Sequence, residues 1–269
     1  MTRANMSITE GIIPVEFPSD IRTGNVNVDQ VKAIYIPSDE QESLVIVLHG
    51  TGMSKEDFIH YGEFLKGLGI SSLILDLPHH GQRGLYGNGC TLHENVNTPE
   101  KIRLTLEQIL SDVRKAISLG KRHTKIGLFG YSLGALCIMT AMGQDTRVNK
   151  GIAVCGGGDI ADIIMTSDAT EEIAKALESK GIDYQQLRQE LKDVEPCKYA
   201  QYIMPNSLLM INGNYDSTVH PQNTKKFQAA LKNPQQVVWY DCDHYPKWDK
   251  LKTWSRIHFA DFLPNGEDK

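Results

Sequence analysis

The sequence predicts an α/β protein built on a doubly wound, mostly parallel sheet that is flanked by helices and carries a small helical cap insertion. Short runs of apolar, often β-branched residues recur along the chain, and the middle runs are continuous rather than alternating, as in parallel strands covered on both faces. Amphipathic helical patterns separate these runs, which is typical of right-handed β-α-β crossovers. One stretch with helical patterns but no strand pattern interrupts the alternation and indicates the cap.

Seven runs have the length and composition of strands. They cover residues 31–36, 44–48, 71–75, 125–129, 151–154, 208–211 and 237–240. The clearest helical pattern covers residues 99–119, where Pro99 suits a first helical turn and one apolar stripe follows it along the segment. Open sheets of this kind bind ligands at the carboxyl ends of their strands. We therefore expect functional residues directly after the predicted strands.

Residues 159–194 form the predicted cap. This segment contains two helical patterns, the first made of residues 161–165 together with 171–177 and the second at 184–191. It is longer than the dozen or so residues that a crossover between parallel strands needs. The alternative is an ordinary pair of crossover helices with no role in substrate choice. We predict a single domain over residues 1–269, because a chain that is 41% hydrophobic and 23% charged can bury one large core at this length.

Charge and cysteine content narrow the function classes. The formal net charge of −5 offers no basic surface to phosphates or anionic lipids, so neither nucleic acid nor a membrane is expected as a partner. The five cysteines are scattered and lack CxxC spacing, which argues against a disulfide framework and a zinc site. We predict free thiols, no metal and no cofactor.

Hydropathy bears on location. Residues 1–10 lack the apolar core of a secretory signal, and no apolar stretch reaches the roughly 20 residues of a membrane-spanning helix. The sequence therefore predicts a cytoplasmic protein.

Residues 130–134, GYSLG, form a G-x-S-x-G motif between a predicted strand and the helical run 135–142. The two glycines allow a sharp strand-to-helix turn, which raises the serine hydroxyl above the sheet and directs a helix N-terminus at it. This context predicts Ser132 as a nucleophile. A plain helix N-cap is the alternative role for Ser132. Tyr131 and Leu133 are predicted either to line a pocket or to pack against the sheet.

With this motif in place, the chain resembles the α/β-hydrolase family from about residue 44 to about residue 262. Residues 48–52, LHGTG, follow an apolar strand and look like the oxyanion loop of that family. The resemblance implies that the backbone N–H groups of Thr51 and Leu133 form the oxyanion hole. The chain is most similar to the small bacterial esterase and dienelactone-hydrolase-like or peptidase-like branches.

A second loop carries the resemblance further. Residues 76–83, DLPHHGQR, resemble the family's D-x-P-G-H-G segment, with His79 where a glycine is usual. His49 in the oxyanion loop and His80 in this second loop are predicted to brace their own loops.

The resemblance also implies an acid after a later strand and then a histidine. Asp216, within residues 211–219, supplies the acid, and His244, within residues 241–245, supplies the base. The chain order Ser, Asp, His is that of α/β-hydrolases and differs from the chymotrypsin and subtilisin orders. His244 is expected to accept the proton of Ser132 and return it to the leaving group, while Asp216 orients the imidazole and stabilises its cation.

Other residues compete for these two roles. Asp216 is also suited to a turn, and Asp241 and Asp243 lie nearer His244 in the sequence. We favour Asp216 because the acid has to come from a different strand end to reach the distal imidazole nitrogen. Position after the last strand favours His244 as the base over the competing histidines His49, His79, His80 and His220.

We therefore predict a serine hydrolase that cleaves a carboxylic ester of a small-molecule substrate through an acyl-serine intermediate. A thioester or an amide would follow the same path. The alternatives are acyl transfer or carbon–carbon bond hydrolysis on the same triad, and a non-catalytic ligand receptor on the same scaffold. Haloalkane dehalogenases and epoxide hydrolases are disfavoured, because those relatives carry Asp where this chain carries Ser132. Both a monomer and a homo-oligomer stay open.

Overall fold

The structure of the protein, a computed structural model, describes residues 11–40 and 42–264. The first ten residues, in which the sequence predicts no secretory signal, lie outside this part. Within the described residues eight strands form one sheet. They are β1 (Ile13–Pro18), β2 (Gln30–Ile36), β3 (Ser43–Leu48), β4 (Ser71–Leu75), β5 (Lys125–Tyr131), β6 (Lys150–Val154), β7 (Leu208–Gly213) and β8 (Gln236–Tyr240).

Helices connect most of these strands. The described residues contain α1 (Ile59–Lys66), α2 (Leu92–Asn95), α3 (Pro99–Leu119), α4 (Leu133–Gln144), α5 (Ile160–Thr166), α6 (Glu171–Glu178), α7 (Tyr184–Leu191), α8 (Pro196–Tyr199), α9 (Pro221–Ala230) and α10 (Trp248–His258). Short 3-10 turns cover Lys55–Phe58, Gly81–Arg83, Asp168–Thr170, Ala200–Tyr202 and Ala260–Phe262. None of the helices described is both long enough and apolar enough to cross a membrane.

The sheet has the strand order β1-β2-β4-β3-β5-β6-β7-β8, with β1 and β2 antiparallel to their neighbours and the remaining pairs parallel. All seven predicted strands are present, and the predicted fold class is confirmed. Two strands extend two residues further at their carboxyl ends than predicted: β5 pairs with β6 as far as Tyr131, and β7 pairs with β8 as far as Gly213. The residues that follow these two strands therefore begin at the carboxyl edge of the sheet.

The strand β1 was not expected from the sequence. It contains Pro14 and Pro18 and lies at the edge of the sheet, where it pairs only with β2 and leaves most of its side chains exposed or half-buried. Proline has no N–H to donate, so it is tolerated at a sheet edge and is atypical of an internal strand. A search for continuous apolar runs, which detects buried strands, therefore does not detect β1.

Apolar side chains cover both faces of the sheet. All six residues of β3 are buried, and their side chains alternate between two clusters. Ile46 and Leu48 pack into the cluster that contains α3 and α4, whereas Val45 and Val47 pack into the cluster that contains α1 and α10. This two-sided burial explains why the middle strands are largely apolar and show no alternation of apolar and polar residues.

Residues 159–194, between β6 and β7, contain α5, α6 and α7: the first predicted helical pattern is divided into α5 and α6, and the second corresponds to α7. Their buried residues, among them Ile160, Ile173 and Leu187, join the apolar cluster that also contains α3. At the start of α3, the Thr98 hydroxyl accepts a hydrogen bond from Lys101 N and Pro99 occupies the first turn.

Candidate active site

Ser132 occupies the turn between β5 and α4. Its backbone has φ +53° and ψ −115°, a conformation that is rare for a residue with a side chain. Ser132 N donates to Val154 O at 2.9 Å, which ties the turn to the end of β6. The hydroxyl therefore lies at the carboxyl edge of the sheet, at the N-terminus of α4, where unpaired N–H groups give a positive potential.

The two glycines of the motif are required by close packing of the backbone. A Cβ on Gly130 would lie 2.3 Å from Gly134 O, and a Cβ on Gly134 would lie 2.4 Å from Leu48 O. Because both obstacles are main-chain atoms, neither can move aside without distorting the sheet. The strand, the turn and the helix thus approach one another as the motif predicts.

Asp216 and His244 meet at the same edge, after β7 and β8. His244 Nδ1 lies 2.9 Å from each carboxylate oxygen of Asp216, and both side chains are buried. Asp216 Oδ1 also accepts hydrogen bonds from the N–H groups of Thr218 and Val219, at 3.0 and 2.8 Å. These two donors fix the plane of the carboxylate, which in turn sets the orientation of the imidazole.

The two competing aspartates have other partners. Asp241 accepts from Asn214 Nδ2 at 2.6 Å on the surface. Asp243 accepts from the backbone N–H of Ser217 at 2.9 Å and from that of His244 at 2.8 Å. Asp243 therefore joins the loop after β7 to the loop after β8, while the imidazole itself is bound by Asp216.

The hydrogen bonds of His49 lie within the neighbouring loops. Its Nδ1 lies 2.7 Å from Gly50 O, and its Nε2 accepts the N–H of Leu77 at 3.0 Å. Burial lowers the pKa of His49 to about 4, so the ring is neutral at pH 7. His49 thus connects the loop after β3 to the loop after β4. In the second of these loops His80 Nδ1 contacts Pro78 O at 2.8 Å, and burial lowers its pKa to about 3.

His79 has the backbone conformation that a glycine in the family pattern suggests. Its φ is +66°, in the left-handed region. Gly81 in the same loop has φ +51°, and a Cβ there would lie 2.4 Å from Asp76 Oδ1. That carboxylate forms a 2.7 Å ion pair with Lys55 Nζ, with both side chains buried. The loop therefore keeps its fold although His79 replaces a glycine.

The histidine loop is held by two side chains from neighbouring strand ends. Tyr131 Oη donates to His244 O at 2.6 Å, and Cys155 Sγ donates to the same carbonyl at 3.2 Å. Burial raises the pKa of both donors above their ordinary values, so both keep their protons. In the part of the chain that the structure describes, no hydrogen bond joins Ser132 Oγ to His244. Such catalytic contacts often tighten only when substrate binds.

Cys155 lies close enough to the acid and the base to be considered as a metal ligand. One ligand atom each from Cys155, Asp216 and His244 lie within 4.8 Å of one another. The thiol is protonated and already donates to a carbonyl, and the carboxylate already binds the imidazole. The three groups thus satisfy one another as a hydrogen-bonded cluster.

Two residues that line the same cavity as Ser132 have unpaired backbone N–H groups. Among the described residues, neither Thr51 N nor Leu133 N has a hydrogen-bond acceptor, and both residues line the cavity together with Ser132. Unpaired N–H groups beside a nucleophile can stabilise a developing oxyanion. Of the two residues that flank the serine, Leu133 lines the cavity, whereas Tyr131 binds the histidine loop.

The cavity has a volume of about 80 Å³. Its walls come from the loops after β3 and β7, from α3 and α4, and from the segment between β6 and β7. They comprise Thr51, Leu92, Val96, Ile102, Thr105, Leu106, Ser132, Leu133, Leu136, Ile160, Ile163, Ile164, Ser167, Ala169, Thr170, Ile173, Thr218 and Val219.

Sequence reasoning did not identify the two donors to His244 O or the N–H groups that bind Asp216. Cys155 directly follows β6, which neighbours β5 in the sheet. Its position at a strand end was therefore visible in the sequence. Its contact with the histidine loop depends on the sheet order, which the sequence does not contain.

Comparisons with known proteins agree with this fold. The sequence model of the prolyl oligopeptidase family matches residues 80–249. The Bacillus subtilis (strain 168) protein named "Putative esterase YitV" is 24% identical over 266 residues, which cover 87% of this chain and 96% of that protein.

Two solved structures are similar in fold. An acetyl xylan esterase from Paenibacillus sp. R4 aligns with a TM-score of 0.73 and 16% identity, over 95% of this chain and 86% of that one. The acylaminoacyl peptidase of Pyrococcus horikoshii aligns with a TM-score of 0.68 and 15% identity, over 97% of this chain and 43% of that one.

Proposed function

The chain belongs to the prolyl oligopeptidase family and is an esterase-like hydrolase, and on that premise we propose that it is a serine hydrolase cleaving a carboxylic ester of a small-molecule substrate. One observation carries the proposal: the Asp216–His244 pair, at 2.9 Å, lies at the same sheet edge as a serine in a strained strand-to-helix turn. The unpaired N–H groups of Thr51 and Leu133, which line a cavity with that serine, add support.

Acylation begins at Ser132. A serine hydroxyl is too weakly acidic to attack a carbonyl unaided, so His244 Nε2 takes its proton as Oγ bonds to the carbonyl carbon. Asp216 stabilises the imidazolium that forms. The N–H groups of Thr51 and Leu133 bind the oxyanion, a contribution of about 3 kcal/mol per donor in enzymes where one has been removed. The bond from carbon to the alcohol oxygen then breaks, and His244 protonates the leaving alcohol.

Deacylation repeats these steps with water. His244 removes a proton from a water molecule, the hydroxide attacks the acyl carbon, and the same two N–H groups bind the second oxyanion. Collapse of this intermediate breaks the bond to Ser132 Oγ, which recovers its proton from His244. The products are a carboxylic acid and the free, unmodified enzyme.

The test compares the wild type with Ser132→Ala on p-nitrophenyl esters, with the folding of both checked by circular dichroism. We expect turnover by the wild type and a loss of roughly 10⁶-fold in kcat in a folded Ser132→Ala variant. A fluorophosphonate should label the wild type at Ser132 with one equivalent. Turnover that persists in Ser132→Ala would refute the proposal, and p-nitroanilides and thioesters assayed in parallel compare the three bond types.

The segment 159–194 is proposed to act as a cap over this site. Its helices α5 and α6 contribute Ile160, Ile163 and Ile173 to the cavity wall, so the segment closes space above the serine. A crossover without a role in substrate choice would not need to contact that space. The single domain, the cytoplasmic location and the open choice between monomer and homo-oligomer stay predictions.

A further inference from the structure

We propose that the cavity beside Ser132 holds the acyl group of the substrate and selects a short, uncharged, apolar acyl chain, while the alcohol portion stays outside next to Tyr245. This inference rests on the proposed serine hydrolase function. It names the chemical class of the substrate and the residues that determine it.

The lining of the cavity identifies it as the acyl side of the site. Ser132, Thr51 and Leu133 line it, whereas neither His244 nor Asp216 is among the described residues of its wall. A leaving alcohol must lie on the imidazole side of the nucleophile, because the histidine gives it a proton. The part of the substrate that enters a cavity away from the imidazole is therefore the acyl chain.

The wall of the cavity has no charged side chain among its described residues. Leu136, Ile163 and Val219 form a small buried cluster of their own, apart from the two large clusters that cover the sheet. A carboxylate or an ammonium group would lose its hydration there without gaining a partner, so a charged acyl chain is disfavoured.

The hydroxyl groups of the wall add little polarity. Thr105 Oγ donates to Lys101 O, Thr170 Oγ donates to Ile164 O, and Thr218 Oγ donates to Asp168 Oδ1. The Ser167 hydroxyl accepts a hydrogen bond from Ala169 N at 3.2 Å. Apart from Ser132, the wall hydroxyl without a hydrogen bond among the described residues is that of Thr51, which lies beside the unpaired N–H groups rather than along the apolar wall. The cavity thus suits a hydrocarbon chain.

The volume sets the length of that chain. A water molecule needs on the order of 10–15 Å³ of such space, so about 80 Å³ accepts roughly five to eight non-hydrogen atoms. Counted by their carbon atoms, acyl groups from pentanoyl to octanoyl fall within this range, and butanoyl lies one atom below it. An acetyl group leaves part of the apolar cavity wall uncovered, and a dodecanoyl group is too long to fit in the cavity.

The imidazole side of the site is open. Tyr245 is 74% exposed, and its ring packs edge-on against His244 with the ring centroids 5.5 Å apart. An alcohol that leaves from this side meets solvent and one aromatic face. We therefore expect weak discrimination between alcohols and strong discrimination between acyl chains.

The experiment measures kcat/KM for two ester series. The first keeps p-nitrophenol and varies the acyl chain from acetyl to dodecanoyl, with succinyl as the charged counterpart of butanoyl. The second keeps butanoyl and varies the alcohol. We expect a maximum between butanoyl and octanoyl, at least a tenfold loss for succinyl relative to butanoyl, and a smaller spread across the alcohols.

Two substitutions in the segment between β6 and β7 separate specificity from stability. Ile163→Ala enlarges the cavity and should move the preferred chain to longer acyl groups by about two carbons. Leu187→Ala removes an equally buried side chain that does not line the cavity, so it should lower Tm and leave the acyl preference unchanged. A flat acyl profile, or equal shifts in both variants, would overturn the inference.

The outcome also distinguishes the inference from the function on which it rests. Turnover that depends on Ser132 but ignores acyl length would overturn the acyl site alone. Turnover that is unchanged in Ser132→Ala, or the absence of both turnover and fluorophosphonate labelling, would overturn both.

Discussion

The phenolic hydroxyl of Tyr131 donates a 2.6 Å hydrogen bond to the main-chain carbonyl of His244. The residue immediately before the proposed nucleophile thereby holds the residue proposed as the base. Cys155 donates to the same oxygen from the next strand end. Since a fraction of an ångström in the position of a base affects the rate strongly, these donors are expected to act on catalysis through geometry.

Tyr131→Phe should lower kcat for a butanoyl ester by about tenfold and leave KM nearly unchanged. The substitution keeps the ring and removes one hydrogen bond to the histidine loop, a loss of about 1 kcal/mol or slightly more. Steady-state kinetics on a folded variant measure the effect. Tyr245→Phe, on the exposed ring beside the same histidine, is the control and should change kcat by less than about twofold. Equal effects of the two substitutions would rule out the positioning role.

Asp216→Asn should lower kcat by about 10⁴-fold while the protein stays folded. In the wild type the Asp216 carboxylate accepts a hydrogen bond from His244 Nδ1. The amide of Asn can instead donate to Nδ1, which favours the tautomer of His244 whose proton is on Nε2 and which cannot accept the proton of Ser132. Asp243→Asn is the matched control, because Asp243 binds backbone N–H groups of the same two loops without touching the ring. We expect its effect to stay below about tenfold. A larger loss of kcat in Asp243→Asn than in Asp216→Asn would show that Asp216 is not the acid of the triad.

Asp76→Asn should lower the free energy of unfolding by about 3 to 5 kcal/mol, because it removes the buried counter-charge of the Lys55 ammonium and leaves only a partly exposed one. Glu56→Gln provides a comparison on the same lysine. Lys55 Nζ lies 2.7 Å from Glu56 as well, but the Glu56 side chain is 43% exposed, and its loss should cost less than about 1 kcal/mol. Urea unfolding of the wild type and the two variants measures both losses in the free energy of unfolding. Similar losses in the two variants would show that burial of the Lys55–Asp76 pair has little effect on stability.

Acid should destabilise the fold in part through His49. Burial lowers the pKa of this histidine to about 4 in the folded protein, from an ordinary value of 6.5. The unfolded chain therefore binds a proton at a higher pH than the folded chain does. Protonation of His49 does not lower the free energy of unfolding above about pH 6.5. As the pH falls from there toward 4, proton uptake by the unfolded chain lowers the free energy of unfolding by about 3 kcal/mol for this one group.

Urea unfolding at about pH 7.5 and about pH 4.5 checks this dependence. In His49→Gln the loss of stability between the two pH values should be smaller than in the wild type by about 2 kcal/mol, because no proton is taken up at that position. His220→Gln, at the partly exposed start of α9, is the control and should reproduce the wild-type loss. A His49→Gln variant with the full wild-type loss would contradict the prediction.

The sequence by itself determined the sheet and its proposed chemistry to a large degree. Strands buried on both faces need mostly apolar residues, and such continuous runs located the middle strands of the sheet directly. Close backbone packing needs glycine at positions 130 and 134, so the serine turn was also visible. The edge strand β1 was not, since its prolines and exposed side chains carry no pattern of burial.

Only the tertiary structure decided which of these residues meet. Asp216 and Asp243 occupy similar loops, and the fold alone directs the first to the imidazole and the second to backbone N–H groups. The contact between Tyr131 and His244 spans more than a hundred positions of the chain. The apolar cavity is likewise assembled from loops and helices far apart in the sequence. Local residue patterns encode burial and backbone conformation, whereas contacts between strand ends depend on the sheet order, which is fixed by packing of the whole chain.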